Sequence, residues 1–275
     1  MHSAIFLEVT MRRYLFFGLV FVFLLSGCKA VPGDYIPFAS ETSSDALSNT
    51  TCGWGFRRTP QGPEFTAEQH ELMNRYKCIY KENTDAKNIY LTFDEGYENG
   101  YTGIILDVLR EKNVKAAFFV TAPYVKSNPD LIKRMAREGH IIGNHTVNHP
   151  SLPDVKDDKK LLEEFFELDR LIYGICGKKC KYLRPPKGEY SERTLSVSHN
   201  AGYTNVFWSQ AYVDWDNKVS AEKAFAKITS DIHPGCVLLL HAVSKGNAQA
   251  LGNVIDFARK EGYTFKSLNQ YKFKE

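Results

Sequence analysis

The sequence predicts an α/β domain, a parallel sheet with helices on its outside. Three observations carry this. From position 88 short apolar runs alternate with amphipathic ones, the strand–helix rhythm repeats about seven times, and clusters of polar residues recur just after the apolar runs. Asn88 to Phe93 has a strand pattern, and Tyr101 to Glu111 is helical, with Ile104, Ile105, Val108 and Leu109 on one face. Val114 to Val120 is a short apolar run typical of a strand buried on both faces. Pro129 to Glu138 is the next helix, stopped by Gly139, and His140 to Gly143 the next strand. Asp157 to Ile175 is a long amphipathic helix. Tyr182–Leu183, Thr204 to Phe207 and Cys236 to Leu240 are strands, separated by helices over Ser191 to Asn200 and Ala221 to Ile232. A helix from Ala248 to Glu261, closed by Gly262, leads to a last short strand ending at Phe265. About seven such units suit an incomplete barrel better than an open sheet, although periodicity alone does not separate the two. In a barrel, chemistry belongs at the C-terminal ends of the strands, where the polar clusters fall.

Length and composition allow one sizeable core: 275 residues, 43% of them hydrophobic. With 35 basic and 32 acidic residues the net charge is +3, and the lysines are scattered. This argues against a nucleic-acid partner. The N-terminus points elsewhere. Arg12 and Arg13, with Met11 as a candidate start, precede an apolar run from Tyr14 to Leu25 that is too short for a comfortable membrane span. The run ends Leu25-Ser26-Gly27-Cys28 and resembles a bacterial lipobox, whose cysteine becomes the lipidated first residue; the alternative is an uncleaved anchor. The expected organisation is a signal peptide over 1–28 with lipidation at Cys28, and a flexible stalk over 29–52 rich in Ser, Thr, Pro, Gly and Asp. An N-terminal extension over 53–87 packs on the domain, and the domain itself spans 88–270. Within the extension, 66–77 reads as a short helix capped by Thr66, and Pro60 to Pro63 as a turn. The location implied is extracytoplasmic, on the outer face of the cell membrane. Of the remaining cysteines, Cys176 and Cys180 can pair across a turn, whereas Cys52, Cys78 and Cys236 read as small core residues.

Five clusters carry chemistry. Thr92-Phe93-Asp94-Glu95-Gly96-Tyr97 sets two acids side by side where a strand breaks; they repel unless a cation or an arginine neutralises them. His145-Thr146-Val147-Asn148-His149 spaces two histidines at i and i+4, which on a helical turn suits two ligands of one zinc-like ion. In Arg184-Pro185-Pro186-Lys187-Gly188 the prolines fix an extended loop, and Arg184 can pair with a carboxylate. Val213-Asp214-Trp215-Asp216 sets an acid beside an indole that either stacks on a sugar or packs in the core. Leu238-Leu239-Leu240-His241 ends a buried strand with a histidine able to act as a general acid.

Singly, each cluster has an ordinary structural reading, a salt-bridged turn or a surface histidine. In this order they resemble the five motifs of the polysaccharide deacetylases, also called carbohydrate esterase family 4 or the NodB-homology domain, over roughly residues 88 to 268. The resemblance implies a distorted (β/α)7 barrel. It makes Asp94 the general base, oriented by Arg184, and His241 the general acid, tuned by Asp214. It makes His145 and His149 ligands of a divalent metal, usually zinc, and lets Trp215 and Pro185 line the substrate pocket. The family usually has a second Asp after the base; here Glu95 stands there. Glu95 is therefore either a third ligand reached differently or no ligand, the metal then being held by two histidines and waters. Phe93 to Thr102, Arg184 to Arg193, Trp54-Gly55-Phe56 and His241 to Lys245 look like the muramic δ-lactam deacetylases of bacterial spore cortex. These remove acetyl from peptide-free N-acetylmuramic acid of the peptidoglycan strand, and the freed amine closes onto the lactyl carboxylate. Lys187 and Arg193 are candidates to contact that carboxylate. The rival readings are an N-acetylglucosamine deacetylase, a catalytically weak glycan-binding envelope lipoprotein, and a structural envelope lipoprotein.

Overall fold

The computed structural model describes residues 46–215 and 219–273; the expected signal segment, Cys28 and Asp216 lie outside the described residues. The N-terminal extension supplies β1 (Cys52–Gly53), a hairpin of β2 (Arg57–Thr59) and β3 (Gly62–Glu64), and α1 (Ala67–Arg75). Helix α1 starts where expected, because Thr66 and Gln69 form a reciprocal capping box. The domain proper runs β4 (Asn88–Glu95), α2 (Thr102–Glu111), β5 (Ala117–Val120), α3 (Ala122–Ser127), α4 (Pro129–Arg137) and β6 (Ile141–Asn144). It continues through α5 (Asp158–Cys176), β7 (Tyr182–Leu183), β8 (Glu189–Tyr190), α6 (Glu192–Asn200) and β9 (Thr204–Asn205). Last come α7 (Ala221–Ser230), β10 (Cys236–His241), α8 (Lys245–Lys260) and β11 (Thr264–Lys266). Helix α3 and the hairpin were not expected, and α8 begins a turn early because Ser244 caps it through the Asn247 amide.

Seven strands form one curled parallel sheet in the order β10-β4-β5-β6-β7-β9, with β11 beside the start of β4. Beyond β9 the chain returns toward β10, bridging Gln210 to Leu238 in parallel, so the sheet curls into an incomplete barrel. Alternation along β4 sorts its side chains. Ile89, Leu91 and Phe93 pack outward with Ile105, Leu106 and Leu109 of α2, whereas Tyr90 packs inward with Ala117, Phe119, Tyr182, Val206 and Val237. The same period sends Thr92 and Asp94 inward and Glu95 outward.

The extension is bound to the domain from further upstream than the expected stalk boundary. Asn49 donates to the Pro153 carbonyl at 3.0 Å and accepts from Ser191 Oγ at 2.9 Å; β1 pairs with β8, and Trp54 stacks on Phe207 at 4.5 Å between ring centroids. All five described cysteines are free thiols, so Cys176 and Cys180 are not bridged.

Gly143, on β6, leaves room for a ring that the site needs. A Cβ there would sit 2.5 Å from the Phe119 ring, whose face carries the Arg184 guanidinium at 4.2 Å. Gly143→Ala is expected to displace Phe119 and with it Arg184, at an overpacking cost of about 1–3 kcal/mol. Activity should fall by far more than thermal unfolding shifts; equal retention of both would show that the ring does not support the arginine.

Candidate active site

Asp94 is the last residue but one of β4 and His241 the last of β10, and the parallel register sets the two residues directly opposite each other. Asp94 is almost fully buried, which costs a carboxylate its hydration. The cost is met by Arg184, itself 0% exposed, whose Nη1 donates to Asp94 Oδ1 at 2.7 Å. Its remaining donors go to the Val206 carbonyl (3.0 Å), Thr92 Oγ1 (2.9 Å) and the Phe207 carbonyl (3.4 Å), so the guanidinium is fixed in the plane Asp94 requires. Burial alone pushes the Asp94 carboxyl up, but Arg184, His145 and His241 together hold it below the usual carboxylate range. Asp94 is ionised, as a base must be.

His241 has the opposite environment. Its Nδ1 donates to Asp214 Oδ1 at 2.8 Å, and its backbone amide donates to Asp214 Oδ2 at 2.7 Å. Burial lowers the imidazole, but the Asp214 carboxylate and then Asp94 more than offset this, so the His241 pKa is raised. Asp214 is buried and receives a third hydrogen bond from Asn247 Nδ2 at 2.5 Å. Sequence reasoning missed Asn247, and a polar residue in the first turn of a helix carries no signal that would have found it. Trp215, which is 55% exposed, stands edge-on to His241 with ring centroids 5.2 Å apart, so it belongs to the mouth and not the core.

The two expected metal ligands come together, though not on a helical turn. Residues 145–149 form a bent loop in which Thr146 (φ 69°) and His149 (φ 56°) are left-handed. The loop is held by α5. Glu164 Oε2 accepts from the Asn148 amide at 2.9 Å and its carbonyl from Val147 at 3.1 Å, while Asn144 accepts from Thr146 at 2.8 Å and donates to Asp169 Oδ1 at 2.8 Å. The result is a His145–His149 ring separation of 4.7 Å at 75°. His145 Nδ1 lies 2.9 Å from the Arg184 carbonyl, which can only accept, so Nδ1 carries the proton and Nε2 the lone pair. Burial, outweighing Asp94, pushes the His145 pKa down to about 4; burial also lowers His149, with Lys187 opposing its charge, so both rings are neutral near pH 7. The lone pair of His145 Nε2 then faces Asp94 Oδ2 at 3.5 Å. Two acceptors face to face are unfavourable unless a cation lies against them, so this donor set fits a divalent metal.

Glu95 does not join them, which corrects the expectation of a third ligand. It follows Phe93 onto the outer face of β4, 0% exposed, near Glu98, Thr102 and Tyr124, and neither carboxyl oxygen makes a hydrogen bond. Burial first, then Glu98 and Asp94, raise its pKa well above the carboxylate range, although Thr102 is near enough to offset a little of this; Glu95 is a neutral acid. Among the described residues no three His, Cys, Asp or Glu side chains are gathered closely enough to enclose an ion.

Arg193 is a second correction. It is 5% exposed and spent on structure, donating to Asn49 Oδ1 (3.0 Å), the Val155 carbonyl (2.6 Å) and Asp158. Pro185 is buried and its carbonyl accepts from Gly188 at 3.1 Å, closing the turn that exposes Lys187 in a left-handed conformation (φ 59°). Of the two cations expected at the substrate, Lys187 alone is placed to meet one.

Comparison with known proteins places the chain in a family. A family model described as polysaccharide deacetylase matches residues 81–206. The peptidoglycan-N-acetylmuramic acid deacetylase PdaA of Bacillus subtilis is 44% identical over 237 residues, 84% of this chain and 90% of that one. Its solved structure, that of a family 4 carbohydrate esterase, matches with a TM-score of 0.79 over 82% of this chain and 98% of that one. A family 4 carbohydrate esterase from Bacillus anthracis is 46% identical, with a TM-score of 0.71 over 82% of this chain and 98% of its own. A peptidoglycan-N-acetylglucosamine deacetylase of Bacillus cereus is 32% identical over 200 residues, 71% of this chain and 72% of that one. With 44% identity over most of both chains and the same fold, this chain belongs to the polysaccharide deacetylase family, family 4 of the carbohydrate esterases.

Proposed function

We propose that this chain hydrolyses the N-acetyl group of peptidoglycan amino sugars, with peptide-free N-acetylmuramic acid as its substrate. One observation carries the chemistry. Asp94 and His241 face each other across β4 and β10 with their pKa values pushed in opposite directions, the carboxyl down by Arg184 toward a base and the imidazole up by Asp214 toward an acid. Asp94 takes a proton from water as the water oxygen attacks the acetamide carbon. His241 gives its proton to the sugar nitrogen as the carbon–nitrogen bond breaks, leaving acetate and a free amine. Arg184 keeps Asp94 aimed and charged through the cycle, and Asp214 compensates the imidazolium. A divalent metal on His145 and His149, zinc by the preference of imidazole donors, supplies when bound a Lewis acid for the carbonyl and a more acidic water.

The muramic reading rests on the 44% identical relative named for that activity and on Lys187, a cation at the mouth suited to a lactyl carboxylate. In a peptide-free muramic residue the freed amine is positioned to close onto the lactyl group, the lactam chemistry of spore cortex. Export and tethering through Cys28 rest on the Arg12-Arg13 pair, the apolar run and the Leu25-Ser26-Gly27-Cys28 sequence.

The deciding experiment is acetate release by the purified protein from peptide-stripped glycan strands, after chelation and again with zinc. Release should return with zinc and vanish in Asp94→Ala; activity on chitin oligomers alone would favour the N-acetylglucosamine alternative, and no release on either would leave a glycan-binding protein. Asp214→Asn removes the carboxylate that raises His241, so the alkaline limb of the kcat/KM profile should move to lower pH. An unmoved limb would mean that His241 is not the acid. Lys187→Ala should lower kcat/KM on muramic strands about tenfold, a loss of ~1.4 kcal/mol, while sparing neutral N-acetylglucosamine oligomers. Equal losses on both would remove the lactyl assignment.

A further inference from the structure

Among the described residues five large apolar side chains are exposed, and three of them stand at the catalytic rim: Tyr97 at 60%, Val213 at 60% and Trp215 at 55%. Such exposure leaves an apolar face in water and gains nothing for the fold. The topology places the two rings on either side of the reacting pair. Tyr97 lies on the loop that follows Asp94 at the end of β4, and Asn99 of that loop donates to the Val243 carbonyl at 3.0 Å, fastening it beside the turn after His241. Trp215 follows the segment that bridges Gln210 to Leu238, on the side of β10 away from β4. His241 therefore sits between them, with Trp215 edge-on to its ring. Among the described residues no ring or hydrogen-bond partner holds Tyr97, so its face is free.

We propose that Tyr97 is a stacking platform for a sugar of the glycan strand neighbouring the one being deacetylated, with Trp215 as its counterpart across His241. A pyranose offers an apolar face of C–H groups to an aromatic ring while its hydroxyls stay in water, which is the chemistry an exposed, unpartnered phenol ring at a glycan site fits. The ligand is thus a strand of at least three sugars, held at both sides of the acetamide. This extends the proposed deacetylase reading and rests on it for the identity of the strand.

The test follows chain length. Peptide-free glycan oligosaccharides of increasing length are used with wild type, Tyr97→Ala and Tyr97→Phe. Acetate release gives kcat and KM, and titration calorimetry gives affinity independently. Tyr97→Ala should raise KM about three- to tenfold on long strands, the penalty growing with length, with kcat held, and Tyr97→Phe should restore the wild-type values because the stacking face is retained. A fall in kcat at constant KM, the same penalty at every length, or no rescue by phenylalanine overturns the platform. Weaker calorimetric binding in Tyr97→Ala alone, in a protein that releases no acetate, would sink the deacetylase reading and leave this one standing; equal binding by both chains overturns it.

Discussion

The active site depends on one buried ion pair, Arg184 with Asp94. Both partners are withdrawn from water, and at that depth their attraction roughly balances the hydration they lose, so the pair adds little net stability. Breaking it is another matter, because a lone buried charge costs about 3–5 kcal/mol. The fold therefore surrounds it with residues of β4, β5 and β6 and of the segment after β9. Thr92 shares β4 with Asp94, Val206 and Phe207 offer carbonyls, Phe119 and Trp208 flank the guanidinium, and Gly143 stays small so that Phe119 fits. Arg184 also reaches the ligand loop through its backbone, whose carbonyl fixes the tautomer of His145. One residue thus sets the charge of Asp94 and the lone pair of His145.

What the sequence made legible is what depends on local periodicity and on the ends of elements. Strand alternation and amphipathic helices are properties of about ten consecutive residues, and a cap such as Thr66 announces itself within three. The pairing of Asp94 with Arg184 and of His241 with Asp214 was legible through the resemblance and the residue types. Three things were not. The 145–149 loop bends through two left-handed residues because Glu164, Asn144 and Asp169 anchor it, and those anchors come from other elements. Arg193 looked like a substrate contact by charge, yet its partners are Asn49 and Asp158, far away in sequence. Asn247 supports Asp214 from the first turn of α8, a position that ordinary surface residues also fill.

Glu95 is the most instructive departure, because two adjacent carboxyl groups meet opposite fates. Strand alternation sends Asp94 into the barrel, where the Arg184 guanidinium favours its charge, and Glu95 outward beneath α2, where no cation meets it and Thr102 offsets little of the cost of burial. Were Glu95 ionised, its charge would raise the pKa of the neighbouring base and weaken it. Burial without a cationic partner instead keeps Glu95 protonated, and the base keeps its low pKa. A second acid in this motif is thus compatible with an ionised Asp94 by either of two routes, a metal that neutralises it or a burial that protonates it. The glutamate, one methylene longer than aspartate, takes the second. Asp94, His145 and His149 are thus left at the rim without a second ionised carboxylate beside them, and the charge of that face is set by Arg184 and Asp94.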